Sequence, residues 1–213
     1  MRQLFPHVCE WANRLMSSEL CLKFQFDTYE QEIERFGGPE GMICSEAIFA
    51  ADSRMSVALM RLLKGNMWPH DQAILLAFSV DDLLKGLGLS GEELLRWYAK
   101  KATPGGQDVG SDYRKRKNLL RAVIGNPEQL FASYEGGSAL ASVIEGRRSS
   151  LAGPAHQLRN LADAGGLAQP LDDLIGSFVH LHFNRMGGAP AQAEETILSL
   201  LLRTRESLEK AAV

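Results

Sequence analysis

Apolar residues recur along most of this chain at the three- and four-residue intervals of a helix, and in one place they alternate. Leu4, Val8, Trp11 and Leu15 share one face of a predicted helix over 3–16. Leu22, Phe24 and Phe26 then alternate with Lys23, Gln25 and Asp27, which predicts a short strand. Gly37, Gly38 and Pro39 mark a loop, and beyond it Ile48, Ala51, Met55, Ala58 and Leu62 line one face of a long amphipathic helix ending at Gly65. Helices are also expected over 70–87, over 91–102 with Ser90 as N-cap, and over 112–124 with Ser111 as N-cap and Gly125 past the end. The Pro/Gly loop 103–110 separates the last two. Four further helical segments, 127–134, 138–164, 170–186 and 190–212, are divided by glycine pairs at 136/137, 165/166 and 187/188. The expected fold class is mainly α with a small β element (α+β). A lone strand leaves its own backbone groups unsatisfied, so it should pair with a second strand, another copy of the chain or a segment outside it.

Composition narrows the setting. A chain of 213 residues with 45% hydrophobic content can bury the core of one domain, taken here as 1–213. Lys plus Arg number 23 against 26 Asp plus Glu, a net charge of -3, so the chain has no polybasic signature and direct contact with nucleic acid is not expected. Cys9, Cys21 and Cys44 are too few for a disulfide scaffold and too widely spaced for a metal knuckle, which suits reduced thiols in the cytoplasm. Arg2, His7, Glu10 and Arg14 interrupt the N-terminal apolar residues, and no run approaches the length of a membrane span.

Three constellations can carry chemistry. In DTYEQEIERFGGPEG, Glu32 can brace the Arg35 guanidinium next to a glycine pair, and the fork of donors on that arginine suits a carboxylate or a developing enolate oxygen. An ordinary exposed ion pair explains the same spacing. In SFVHLHFNRMGG, a helix puts Ser177, His180 and Asn184 on one face and turns His182 away, which argues against a shared metal and leaves His180 as a general acid or base, or as a core histidine. In SDYRKRKNLLRAVIG, the basic group around Arg114 is either a solvated helix face or a contact for an anionic partner. Walker, GxGxxG and Ser-His-Asp patterns are missing, so no cofactor is expected.

Two of these stretches resemble the dehydratases of class I lanthipeptide and thiopeptide biosynthesis, in their C-terminal, glutamate-eliminating domain. The run from Phe24 to Arg54 resembles that family's tyrosine, Glu-x-x-Arg and aromatic-Gly-Gly, followed by a helix bearing Glu, Phe and Asp-Ser: here Tyr29, Glu32, Arg35, Phe36, Gly37, Gly38, Glu46, Phe49, Asp52 and Ser53. SFVHLHFNRM resembles its Ser-x-x-His followed by Asn-Arg, and DYRKRK lies where the family has a Tyr-Arg segment. The resemblance implies expulsion of glutamate from glutamylated Ser or Thr in a precursor peptide, with His180 moving protons, Arg35 holding the glutamyl group or the developing charge, and Glu32 orienting Arg35. It also implies substrate contacts by Tyr29, Arg114, Asn184 and Arg185. A thiopeptide pyridine synthase, which joins two dehydroalanines, and a non-catalytic precursor-binding subunit are the alternatives. The family also has an upstream His-x-Arg-x-Arg motif, and this chain starts after it, so the expectation is a truncated or misassigned reading frame, a glutamylating partner or other chain that supplies that segment, or a degenerate copy used for binding. Phe36 replaces the commoner tyrosine. A homodimer is left open.

Overall fold

A computed structural model describes residues 4–102, 109–134, 137–187 and 191–212. They divide into two compact units, 1–31 and 32–213. In the first, α1 (Leu4–Ser17) is followed by an extended segment in which Phe26 packs against Phe5 (ring centroids 4.7 Å apart) and against Phe24 (5.6 Å). No strand forms among the described residues, which corrects the expected β element. Alternation alone does not make a strand: it needs a neighbouring ladder, and here the two phenylalanines spend their period on a local aromatic cluster.

The second unit holds α2 (Gly38–Lys64), α3 (Gln72–Gly86), α4 (Gly91–Lys101), α5 (Val109–Gly125), α6 (Pro127–Ala132), α7 (Gly137–Asp163), α8 (Leu171–Arg185) and α9 (Ala191–Ala212). Helix α4 starts where Ser90 predicts, with the Glu93 carboxylate accepting from the Ser90 N–H at 3.3 Å. Helix α5 instead begins at Val109, so Ser111 lies inside it and Gly125 is its last residue. Most of the predicted 103–110 loop lies outside the described residues.

Helix α3 is the centre. Every residue from Ile74 to Leu84 is buried, because α5, α7, α8 and α9 pack around it and leave this stretch no solvent face. The long helices α2 and α7 lie against each other, and α2 also packs on α8. Two consecutive aspartates on α3 tie the outer helices to it. Asp81 accepts from Arg205 of α9 (2.9 Å), from Tyr98 of α4 (3.0 Å) and from Lys85 (3.0 Å). Asp82 accepts from Arg147 and Arg148 of α7, each at 2.7 Å. Burial, reinforced by the Asp81 carboxylate, holds the Tyr98 hydroxyl well above the ordinary tyrosine range, so it stays a donor. No helix among the described residues is long and apolar enough to cross a membrane.

Candidate active site

Helix α8 has two faces, and its sequence period decides which residue goes where. Leu174, Ile175, Phe178, Val179, His182 and Phe183 are buried, while Gly176, Ser177, His180 and Asn184 lie on the other side. The face read from the spacing is therefore the face that forms.

His180 stands exposed on that side and is held at both ring nitrogens. Its Nδ1 lies 3.1 Å from a Glu194 carboxylate oxygen in the first turn of α9, and its Nε2 lies 3.4 Å from the Asn184 amide nitrogen. A carboxylate only accepts and an amide NH2 only donates. The two contacts together therefore assign the proton to Nδ1 and make the Nε2 lone pair the acceptor of the Asn184 N–H.

Arg35 reaches the same place from the other end of the unit. It sits in the turn before α2, where its guanidinium donates to Glu32 at 2.8 Å and stacks 5.3 Å from the Phe36 ring centroid. Buried Phe36 fixes this turn by packing on Phe49 of α2 (4.9 Å) and Phe178 of α8 (6.0 Å). Gly37 makes the fit achievable: its φ of +88° suits glycine, and a Cβ there would stand 2.9 Å from Leu167 and 3.0 Å from Leu174. Because Phe178 precedes His180 by two residues, the aromatic contact that seats the arginine turn also fixes its distance from the histidine helix.

The result is a cleft of about 460 Å³ lined by Arg35, Lys101, Ser177, His180, Glu194 and Glu195, with Trp97 and Leu198 as apolar wall. A cation fork, an imidazole whose basic Nε2 is met only by a long amide contact, and a hydroxyl thus share one cavity. That set can remove a proton from carbon and stabilise the negative charge that follows.

Beneath α8 lies a second constellation of the same residue types, in which Asp52, His182 and Arg147 are buried and Arg185 closes the edge. Asp52 of α2 accepts from His182 Nδ1 (2.9 Å), Arg185 (3.1 Å) and Arg147 (3.2 Å), and Arg147 also donates to the Ser79 carbonyl oxygen (2.7 Å). Burial is the largest influence on Asp52 and pushes its carboxyl up, but His182, Arg147 and Arg185 together outweigh it and hold the group below the usual carboxylate range.

The remaining expected residues are dispersed. Asn184 touches His180. Arg185 turns toward Asp52 and lies 5.3 Å from the Phe49 ring centroid. Arg114 is exposed on α5 and does not line the cleft. Tyr29 belongs to the N-terminal unit, where it is 67% exposed. Sequence reasoning missed Glu194, Glu195 and Lys101. Nothing in local spacing joins α9 or the end of α4 to α8, although an acidic pair opening a predicted helix is a signal worth testing against any histidine nearby.

This arrangement defines a helical domain in which an arginine and a histidine from distant segments line one cleft. The chain belongs to the lantibiotic biosynthesis dehydratase C-terminal family, whose model matches residues 1–205. It is 25% identical to the subtilin biosynthesis protein SpaB of Bacillus subtilis over 92% of its length, and 27% identical to the epidermin biosynthesis protein EpiB of Staphylococcus epidermidis over 93%. The nisin biosynthesis protein NisB of Lactococcus lactis subsp. lactis matches 30% of the chain at 41% identity and 6% of its own length. The chain spans about a fifth of SpaB and EpiB, 19% in each case. Among solved structures, the tRNA dependent lantibiotic dehydratase MibB from Microbispora sp. 107891 shares the fold, with a TM-score of 0.79 at 20% identity over 99% of this chain and 22% of that one.

Proposed function

We propose that this domain expels glutamate from glutamylated Ser or Thr side chains of a ribosomally made precursor peptide, in the cytoplasm, leaving a dehydroamino acid. One observation carries the reading: Arg35 and His180, from opposite ends of the second unit, line one cleft.

His180 Nε2 takes the α-proton of the esterified residue. The C–H electron pair becomes the Cα=Cβ bond, the Cβ–O bond breaks, and glutamate leaves with that electron pair as a carboxylate. Arg35 stabilises the charge at the departing carboxylate, and Glu32 keeps its fork turned to the reaction. Asn184 supports His180, while Tyr29 and Arg114 contact the precursor away from the reacting residue. Arg185, paired with Asp52, contributes by holding α8 rather than by touching the peptide. The glutamylation that makes the substrate belongs to another domain or protein.

The test is incubation of the purified chain with chemically glutamylated precursor, alone and with the glutamylating protein, followed by mass spectrometry. The expected result is loss of glutamate, slowed by about 10²–10⁴-fold in His180→Ala. Loss indifferent to that substitution overturns the assigned roles. Release of a leader peptide with ring formation, without glutamate loss, would transfer the domain to the cycloaddition class.

A further inference from the structure

Helix α4 ends in two lysines that go to different places. Lys100 pairs with Asp172. Lys101 crosses α8 at Gly176 and enters the cleft, where a Cβ placed on Gly176 would stand 3.4 Å from its Nζ and 3.7 Å from its Cε. Any side chain longer than a methyl at that position would meet the lysine, so the glycine is what opens its path.

The Lys101 ammonium is engaged by two long ion pairs, one of them to Asp173 in the cleft lining, rather than by a hydrogen bond. Its nearest carboxylates, Asp173 at 3.8 Å and Asp172 at 3.9 Å, are beyond hydrogen-bond length, and its side chain is 28% exposed. Arg35, the other cation of the cleft, already donates to Glu32 at 2.8 Å. Gly176 precedes His180 by four residues, so the two lie on one helical face, roughly 6 Å apart along the axis. An ammonium above Gly176 therefore stands about one turn from the imidazole.

A glutamyl ester needs such a group. One carboxyl of the amino acid is spent in the ester, the other stays ionised a few bonds away, and the amino group stays cationic. The cleft offers a matching set: Lys101 for the anion, with exposed Glu195 in the same lining for the cation.

We propose that Lys101 determines acyl-group specificity by binding the free carboxylate of the glutamyl group while Arg35 and His180 act at the ester. The assignment rests on the elimination reading above and goes beyond it by naming what the cleft selects. It is tested by comparing elimination from precursor peptides chemically esterified with glutamate and with glutamine, which differ only in that free carboxylate. The wild-type chain should favour the glutamyl ester by about 10-fold or more, the worth of one charge-assisted hydrogen bond. In Lys101→Met that ratio should fall close to one, and in Lys101→Arg it should largely return.

An unchanged ratio in Lys101→Met overturns the proposal. If the wild-type chain eliminates neither ester, alone or with the glutamylating protein, the elimination reading fails. The subsite is then decided by titrating free glutamate and free glutamine and following amide shifts by NMR. Glutamate-selective binding lost in Lys101→Met sustains it, and no selective binding to the wild-type chain removes it.

Discussion

His180 and His182 sit two residues apart on one helix, each with a carboxylate at its Nδ1, and they belong to different worlds. His180 is 53% exposed, faces a cleft and keeps its Nε2 toward Asn184. His182 is fully enclosed, shares Asp52 with two arginines, and its Nε2 has no partner among the described residues. Residue type and partner type are thus nearly the same, and burial separates them. In the cleft the charges are solvated, so they contribute little to stability. Under the helix they are locked, and removing one member leaves the others charged in a place water cannot reach.

The largest expected contrast follows from that asymmetry. Arg147→Met leaves Asp52 and Asp82 without their shared guanidinium and should cost about 3–5 kcal/mol, measured as a fall in urea unfolding free energy. His180→Ala should stay within about 0.5 kcal/mol of wild type in the same measurement. Equal effects would mean that the two constellations do not differ in kind.

Acid should act on stability through the buried one. The carboxyl of folded Asp52 titrates below its unfolded value of about 3.9, so the stability it contributes is complete above that pH and is lost as the pH falls toward the lower, folded value. Unfolding free energy measured from pH 6 down to pH 3 should therefore decline below about pH 4, and Asp52→Asn should flatten this decline while lowering the plateau. A slope unchanged in Asp52→Asn would place the acid sensitivity elsewhere.

How much of this was open to sequence reasoning depended on whether the signal was local. The helical faces of α2 and α8 were legible, because the 3.6-residue period of Ile48, Ala51, Met55 and Leu62, or of Ser177, His180 and Asn184, is fixed within a few turns, and the start of α4 was legible from Ser90. The Phe24 and Phe26 alternation misled because a strand is a relation between segments, and no partner strand forms among the described residues. Arg35 and His180 were legible as chemistry, but their meeting depends on Phe36 reaching Phe178 across the unit, which no local pattern encodes. Glu194 and Lys101 were missed for the same reason. The buried cluster did leave a trace: Asp81 and Asp82 interrupt the apolar run AILLAFSVDDLL, and charges on the inner face of a helix demand partners.

Gly176 tests whether the cleft gives up stability to keep Lys101 in place. In the interior of α8, Gly176→Ala should raise the unfolding free energy by roughly 0.5–1 kcal/mol, since the added methyl meets Lys101 at ordinary contact distance and the helix gains a better former. Gly176→Leu should displace the lysine and lower the preference for the glutamyl ester with its charge intact. A preference that survives Gly176→Leu would mean that the lysine does not need this path.

The smallest effect on stability is expected at the exposed pair of the cleft, and it is the sharpest probe of the difference between the two regions. Glu32 and Arg35 are both well exposed, so Glu32→Ala should cost no more than a few tenths of a kcal/mol in urea unfolding. The same change frees the guanidinium from its brace beside the reacting ester, and a donor displaced by about 1 Å can cost up to about 10²-fold in rate. Turnover of the glutamylated precursor should therefore fall by one to two orders of magnitude while the unfolding curve barely moves, and Glu32→Gln, which retains an acceptor oxygen for Arg35, should fall between. If rate and stability change together, the pair is part of the scaffold like the cluster beneath α8. If neither changes, Arg35 is oriented by its stacking on Phe36 alone.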